Sequence, residues 1–369
     1  MDGPFDRRVF GFTIGNTKEA LPHYGVSKAD ILFESFVNGL TTRRFALYSD
    51  VRDVEAVGGV RSMRVQWTDL SQAYDAVAVH AAGSNYVLGD MKASKVDNIY
   101  GEQWNADFHF RDKDRIKAGT SQEHCLYVRG NDLVNYAEEQ GIRVTQDPNK
   151  NYGMQVSAVP DSSMGEDAEQ VTITFELSRR QKDTVMTYDP QAGAYTMSQY
   201  GVEMVDGIYD NAPELYKNVF ALYFPYHYES QTYHVPETVG SGEGFFACDG
   251  KIIPILWHRD TNDAPFYFTL PDGSTLTQGI GSSYVAMIPT GSQVTWGDVE
   301  VSEEEEEAVE AAAIQESAEE PTLSAEVPTE ETAAQAPSET EAPAEIPAET
   351  GKVQEPEETF DLSDVEVDD

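Results

Sequence analysis

The chain has 369 residues, 40% of them hydrophobic, and a formal net charge of −40 at pH 7. The stretch from Ser302 to Asp369 holds 24 acidic residues and one lysine, a net charge of −23, which leaves −17 for residues 1–301. A body this acidic repels phosphate backbones and anionic lipid, so we expect neither nucleic-acid binding nor peripheral membrane binding.

The first part of the chain alternates strand-like runs with helical patterns. Runs rich in β-branched and aromatic residues predict strands at RVFGFTI, ILFESFV, RRFALYS and AVAVHAA. Three helices are predicted: one in VRSMRVQWTDLSQAY with Ser62 as candidate N-cap, one from Ser84 or Asn85, and one from Asn131 or Asp132 to Gly141. We therefore expect a mixed α/β domain over residues 4–148.

From Val144 onward the composition shifts, first to loop residues and then to strand patterns alone. Turn pairs such as Asp249-Gly250 and Asp272-Gly273 separate these strands, which predicts a β-rich domain over residues 149–300. Residues 301–369 are too poor in large apolar side chains to offset the entropy of ordering, so we expect a disordered acidic tail. It is interpreted as a solvating segment, with docking to a basic partner as the alternative.

The lack of long apolar runs and the positions of the cysteines further limit the class of protein. No apolar run approaches the roughly 18 residues of a membrane span, and no basic-then-apolar leader stands at the start. The abrupt start suits a mature fragment whose targeting segment has been removed. Cys125 and Cys248 lie far apart without CxxC spacing, so we expect two unpaired or buried thiols, with a single disulfide as the alternative.

The strongest candidate for ligand binding is the run from Gly58 to Arg64. Arg61 and Arg64 are three residues apart at a predicted helix start, where free backbone N–H groups and guanidinium groups attract a carboxylate or phosphate. The alternative is that both arginines pair with internal carboxylates of Asp69, Asp75 or Asp112. Asp112 and Arg115 either form such a structural set or line the same cleft as orienting groups.

His80 and Ser84 follow the last strand of the first part, at the edge where α/β sheets bind ligands. We expect polar contacts to a ligand, or else a hydrogen-bonded structural histidine. A serine nucleophile with His80 or His124 as base is the less favoured alternative, because the strained G-x-S-x-G turn is missing.

Other chemical signatures are weak. No metal or nucleotide motif is readable, so we assign no catalytic residue, metal or cofactor. GSGEGFF lies between strands without a following helix and is interpreted as a turn or bulge. Several aromatic side chains form either a polymer-binding face or a half-buried sheet. They are Tyr223, Phe224, Tyr226, Tyr228, Tyr233, Trp257 and Trp296.

The order and spacing of several segments resemble the YerB-like bacterial lipoprotein family over nearly all of residues 10–296. The segments are GVSKADILFES, TRRFALYSD, VGGVRSMR, YDAVAVHAAGS, FRDKDR, EHCLY, YDPQAGAY, KNVFALYF, GSGEGFFACDGKIIPILWHRD and LPDGSTL. The resemblance implies two fused modules of undefined molecular function, exported and anchored by a lipidated cysteine. The chain departs from the family pattern at Glu123 and Cys125, which puts any role of the His124 turn in doubt.

We therefore expect an extracytoplasmic protein of a Gram-positive-type cell envelope, membrane-anchored or secreted, that binds or scaffolds rather than catalyses. The expected partners are an envelope glycan, a peptide or a wall enzyme. The alternatives are an envelope hydrolase and a partner-binding regulator of wall enzymes.

Overall fold

The computed structural model describes residues 6–39, 41–100, 107–177, 180–228 and 233–299. The expected disordered tail over residues 301–369 lies outside the described residues and stays a prediction. No helix in the described ranges is long and apolar enough to cross a membrane.

The helices are short. They are α1 (Val65–Ala73), α2 (Asn85–Ala93), α3 (Lys113–Lys117) and α4 (Gly130–Glu139). Ser84 is the N-cap of α2, as predicted, whereas α1 begins after Arg64 rather than Ser62 and α4 begins after Arg129 rather than Asn131 or Asp132.

Strands dominate the fold. The strands before residue 168 are β1 (Phe10–Asn16), β2 (Ile31–Asn38), β3 (Thr41–Tyr48), β4 (Val57–Gly58), β5 (Val77–His80), β6 (Asn98–Tyr100), β7 (His109–Arg111), β8 (Leu126–Val128), β9 (Gln155–Ser157) and β10 (Glu166–Asp167). The later strands are β11 (Gln170–Leu177), β12 (Arg180–Asp189), β13 (Ala194–Gln199), β14 (Val202–Glu203), β15 (Val205–Asp206), β16 (Ala212–Pro213), β17 (Leu215–Tyr216), β18 (Asn218–Phe224), β19 (Tyr226–Tyr228), β20 (His234–Pro236), β21 (Gly240–Cys248), β22 (Lys251–Arg259), β23 (Tyr267–Thr269), β24 (Thr277–Gly279), β25 (Ser283–Pro289) and β26 (Gln293–Gly297).

A large mixed sheet organises the molecule. Its strand order is β10-β22-β21-β18-β25-β2-β3-β1-β5-β6, with β23 paired to β22. The central strand β25 runs parallel to both β2 and β18, and so joins the two parts of the chain in one sheet. A smaller sheet has the order β14-β13-β12-β11-β26, with β17 paired to β13. The chain is mostly β structure with few helices, and the domain division at residues 148 and 149 stays a prediction.

Both faces of the large sheet are buried, because alternate side chains of a strand point to opposite faces. Leu32 and Phe36 of β2 pack in a core cluster with Phe175 of the small sheet. Their neighbour Phe33 packs on the other face, in the cluster that contains Trp67 of α1. At position 34, however, β2 places a carboxylate in the layer between the sheets.

That carboxylate belongs to a buried ion network. Glu34 lies opposite Arg44 of β3, with 3.5 Å between Oε2 and Nε, and it also pairs with Lys182 of β12. Arg44 Nη1 lies 2.9 Å from Glu214 Oε2. Burying charges this deeply is tolerable only when each is paired.

The predicted aromatic face is mostly core. Phe224 and Trp257 are buried and stack with ring centroids 4.4 Å apart. Tyr226 is partly buried and donates to the Met287 carbonyl oxygen at 2.6 Å, whereas Tyr228 is 61% exposed. This mixture of buried, partly buried and exposed rings agrees better with a half-buried sheet than with one aromatic face.

Both cysteines of the described ranges, Cys125 and Cys248, are buried free thiols. The expectation of unpaired thiols is therefore confirmed.

Candidate functional site: an arginine cluster

The loop that carries the predicted site is held by backbone hydrogen bonds to neighbouring strands. Val60 N–H donates to the Leu126 carbonyl at 2.8 Å, Arg61 N–H to Thr13 at 2.9 Å and Met63 N–H to Ala82 at 2.7 Å. A Cβ on Gly59 would collide with the His124 carbonyl, so the close approach of the two backbones requires glycine. The fold therefore uses these three N–H groups, and the expectation of free N–H groups at the helix start stays a prediction.

The guanidinium groups of Arg61 and Arg64 are the remaining candidate hydrogen-bond donors to an anion. Arg61 Nη2 lies 2.9 Å from Glu123 Oε2, and its Nη1 lies 3.3 Å from His124 Nδ1. Arg64 donates to the Met63 carbonyl at 2.8 Å and stacks over Tyr233, 4.6 Å from the ring centroid. Sequence reasoning missed Glu123 as the ion-pair partner of Arg61.

The expected internal partners have other roles. Asp75 pairs with Arg8 and Arg143. Asp112 caps α3 by accepting from Arg115 N–H at 3.0 Å, and it accepts from Tyr24 Oη at 2.9 Å.

Arg115 lies in a separate structural cluster. Its guanidinium donates to the carbonyl oxygens of Ala20, Leu21 and Pro22 at 3.1, 2.9 and 2.7 Å, and so clamps the segment before β2. Asp112 and Arg115 therefore support the fold locally, and the contacts they make do not include Arg61 or Arg64 in the described part of the chain. Their prediction as orienting groups finds no support in these contacts.

His80 and Ser84 are also used by the fold. The His80 ring is buried, lies 2.8 Å through Nδ1 from the Ala82 carbonyl oxygen, and stacks on Tyr100. Burial lowers the pKa of His80 to about 4. Ser84 Oγ accepts from Val87 N–H at 3.3 Å as the N-cap of α2. These contacts match a structural histidine and a capping serine, and they offer no nucleophile–base pair.

A third arginine, which sequence reasoning missed, completes the cluster. Arg43 of β3 is only 4% exposed and donates through Nη1 to the Ser62 carbonyl at 2.6 Å. Its Nε has no hydrogen-bond partner in the part of the chain that the structure describes. It forms no ion pair with any carboxylate of the described residues. Burial and the nearby charges of Arg64 and Arg61 lower the pKa of Arg43 well below its usual range. We call Arg43, Arg61 and Arg64 the arginine cluster.

A buried acceptor lies beside the cluster. Gln66 in the first turn of α1 is 1% exposed, and its Nε2 lies 3.3 Å from the Phe36 carbonyl and 3.4 Å from Ser35 Oγ. The carbonyl requires a donor and so sets the orientation of the amide. Gln66 Oε1 has no hydrogen-bond partner within the described ranges. Gln66 contacts Ser35, and Ser35 lies opposite Arg43 in the sheet. The acceptor Gln66 Oε1 and the donor Arg43 Nε therefore lie in the same region of the fold.

The guanidinium and amide groups of this arrangement are of the types that hydrogen-bond to an anion. A buried guanidinium without a carboxylate is costly, and a bound carboxylate or phosphate would supply the missing charge and hydrogen bonds. In the described ranges, no group of three or more His, Cys, Asp or Glu side chains is arranged to hold a metal ion.

Family models match most of the chain. The N-terminal domain of DUF3048, described as a protein of unknown function, matches residues 2–143, and the C-terminal domain of DUF3048 matches residues 171–285. The chain belongs to the DUF3048 family. The expected family resemblance is thereby confirmed.

A named relative supports the same assignment. This DUF3048 chain is 24% identical over 291 residues to "Putative lipoprotein YerB" of Bacillus subtilis (strain 168), which covers 77% of the chain and 82% of the relative. The crystal structure of YerB from Bacillus subtilis matches with a TM-score of 0.68 at 23% identity, over 79% of this chain and 94% of that one. This likeness shows a shared fold.

Proposed function

We propose that this DUF3048 protein is an extracytoplasmic, lipid-anchored protein of the cell envelope that binds an anionic envelope ligand at the arginine cluster. The relative YerB is named a putative lipoprotein, and this name supports the location and the anchor. In the proposed organisation, a mixed α/β N-terminal part carries the site and a β-rich C-terminal part packs beside it. Binding or scaffolding, rather than hydrolysis, is the proposed activity.

Arg43 carries the proposal. Its strand neighbour Arg44 is also buried and forms ion pairs with Glu34 and Glu214. The fold therefore neutralises a buried arginine whose role is structural. Among the described residues, Arg43 has no carboxylate partner, and it lies close to the positive charges of Arg61 and Arg64. Like charges gathered in a protein with a strongly acidic body indicate selection for an external anion.

The test is ligand-dependent thermal stabilisation. Muropeptides from a Gram-positive wall, inorganic phosphate and acetate are each added to the full chain, and we expect at least one to raise the melting temperature. A ligand present at 100 times its Kd stabilises by about 2.7 kcal/mol. Replacing both Arg61 and Arg64 by Lys should abolish the shift, because lysine cannot supply a bidentate fork.

Arg52→Lys is the matched control, since Arg52 pairs with Glu138 away from the cluster. An unchanged shift in the double variant, or no shift with any of the probes, would refute the proposal.

A further inference from the structure

A cavity that is separate from the arginine cluster lies where the two parts of the chain meet in the large sheet. Its volume is about 450 Å³, within the range of small-molecule sites. Ile31 and Leu47, which are directly paired across β2 and β3, line it together with Tyr74. All three side chains are buried, so the cavity has an apolar, preformed floor.

The rim of the cavity is apolar and exposed. Val156 of β9 is 59% exposed, Ile280 is 55% exposed and Met154 is 40% exposed. The parallel pairing of β9 with β24 holds Val156 opposite Gln278, so these side chains belong to one ordered edge. Exposed apolar side chains that continue into an apolar cavity are typical of a ligand site.

The cavity is lined by two cations and one carboxylate. Arg7 pairs with Asp50 and Asp30 accepts hydrogen bonds from Ser49, whereas Lys150 forms no ion pair among the described residues.

Lys150 Nζ donates to the carbonyl oxygens of Gln72 at 2.9 Å and Asp263 at 3.2 Å, which uses two of its three donors. No carboxylate of the described residues lies within ion-pair distance of it. Partial burial lowers the pKa of Lys150, although the charges of Asp75, Asp263 and Asp147 act in the opposite direction.

We propose that this cavity binds a small amphipathic anion, with the apolar body on Ile31, Leu47 and Val156 and the carboxylate or phosphate at Lys150. The inference goes beyond the function proposed above, because it concerns a different ligand class and shares no residue with the arginine cluster. The two sites can therefore fail independently.

Decanoate and decanol are suitable probes, because they share an alkyl body and differ in the head group. Isothermal titration calorimetry on the full chain should show saturable binding of decanoate. Lys150→Met keeps the length of the side chain, and it should weaken decanoate about tenfold while leaving decanol unchanged. Val156→Asp is at an exposed position and should weaken both probes. Arg43→Met should leave the binding of both probes unchanged.

Val202→Asp provides the matched control, since Val202 is also exposed and does not line the cavity. Absence of decanoate binding, equal affinity in Lys150→Met, or equal weakening by Val202→Asp would each overturn the proposal.

Discussion

Arg43 and Arg44 are consecutive residues of β3, and their side chains enter opposite faces of the large sheet. Arg44 lies between the sheets and meets Glu34 and Glu214. Arg43 lies on the face that carries α1 and meets the Ser62 carbonyl, with no carboxylate partner among the described residues. Two buried arginines of one strand thus have opposite electrostatic surroundings.

The first prediction follows from this difference. Removing one partner of a buried ion pair leaves an uncompensated charge, so Arg44→Met should lower the free energy of unfolding by about 3–5 kcal/mol. Arg43→Met removes a charge that has no carboxylate partner among the described residues. This variant should therefore keep the free energy of unfolding unchanged or increase it. Urea denaturation of both variants measures the contrast. A loss in Arg43→Met as large as that in Arg44→Met would contradict it.

The second prediction concerns the stability of the fold at low pH. Burial alone would raise the pKa of Glu34, but the charges of Lys182 and Arg44 lower it from 4.5 to about 2. The folded state therefore binds this proton less readily than the unfolded state, and stability falls as the pH drops from 4.5 towards 2.

Urea unfolding at pH 6, 4 and 3 measures the effect of Glu34. Glu34→Gln should be less stable at pH 6 and should lose less of its remaining stability between pH 6 and pH 3 than the natural chain. Glu203→Gln, which removes an exposed carboxylate, serves as the control. If Glu34→Gln kept the full pH dependence, the assignment to Glu34 would be wrong.

The third prediction separates core aromatics from surface aromatics. Trp257→Ala should lower the free energy of unfolding by about 3–5 kcal/mol, because it opens a cavity beside Phe224. Tyr228→Ala, at an exposed position, should change it by about 0.5 kcal/mol or less. Chemical denaturation of the two variants is the measurement, and similar losses in both would disprove this division.

The fourth prediction tests Ser84 as a helix cap. Ser84→Ala should cost about 1 kcal/mol, because the N–H of Val87 loses its acceptor, whereas Ser84→Asp should keep most of the stability. Thermal unfolding distinguishes the two variants. Neither change should alter ligand-dependent stabilisation at the arginine cluster. Cleavage of wall fragments that stops in Ser84→Ala would instead support a hydrolase.

Local sequence patterns were sufficient where the cause is local. Period-two alternation predicted the strands, a serine before VLGDM predicted the start of α2, and Arg61 and Arg64 stood out by their spacing. Asp112 and Arg115 were predicted either as a structural set or as orienting groups of the same cleft, and in the fold Asp112 caps α3 and Arg115 holds the segment that contains Pro22.

The amino-acid sequence alone determined that Arg43 and Arg44 point in opposite directions, because successive side chains of a strand alternate. Only the tertiary structure decided which of them is neutralised. The Glu214 partner of Arg44 lies 170 positions further along the chain, and the cavity at Lys150 forms only where β9 and β24 meet the edge of β2 and β3. Pairing between strands that are distant in the chain places Glu214 beside Arg44 and forms the cavity at Lys150. Local sequence patterns do not predict such pairing.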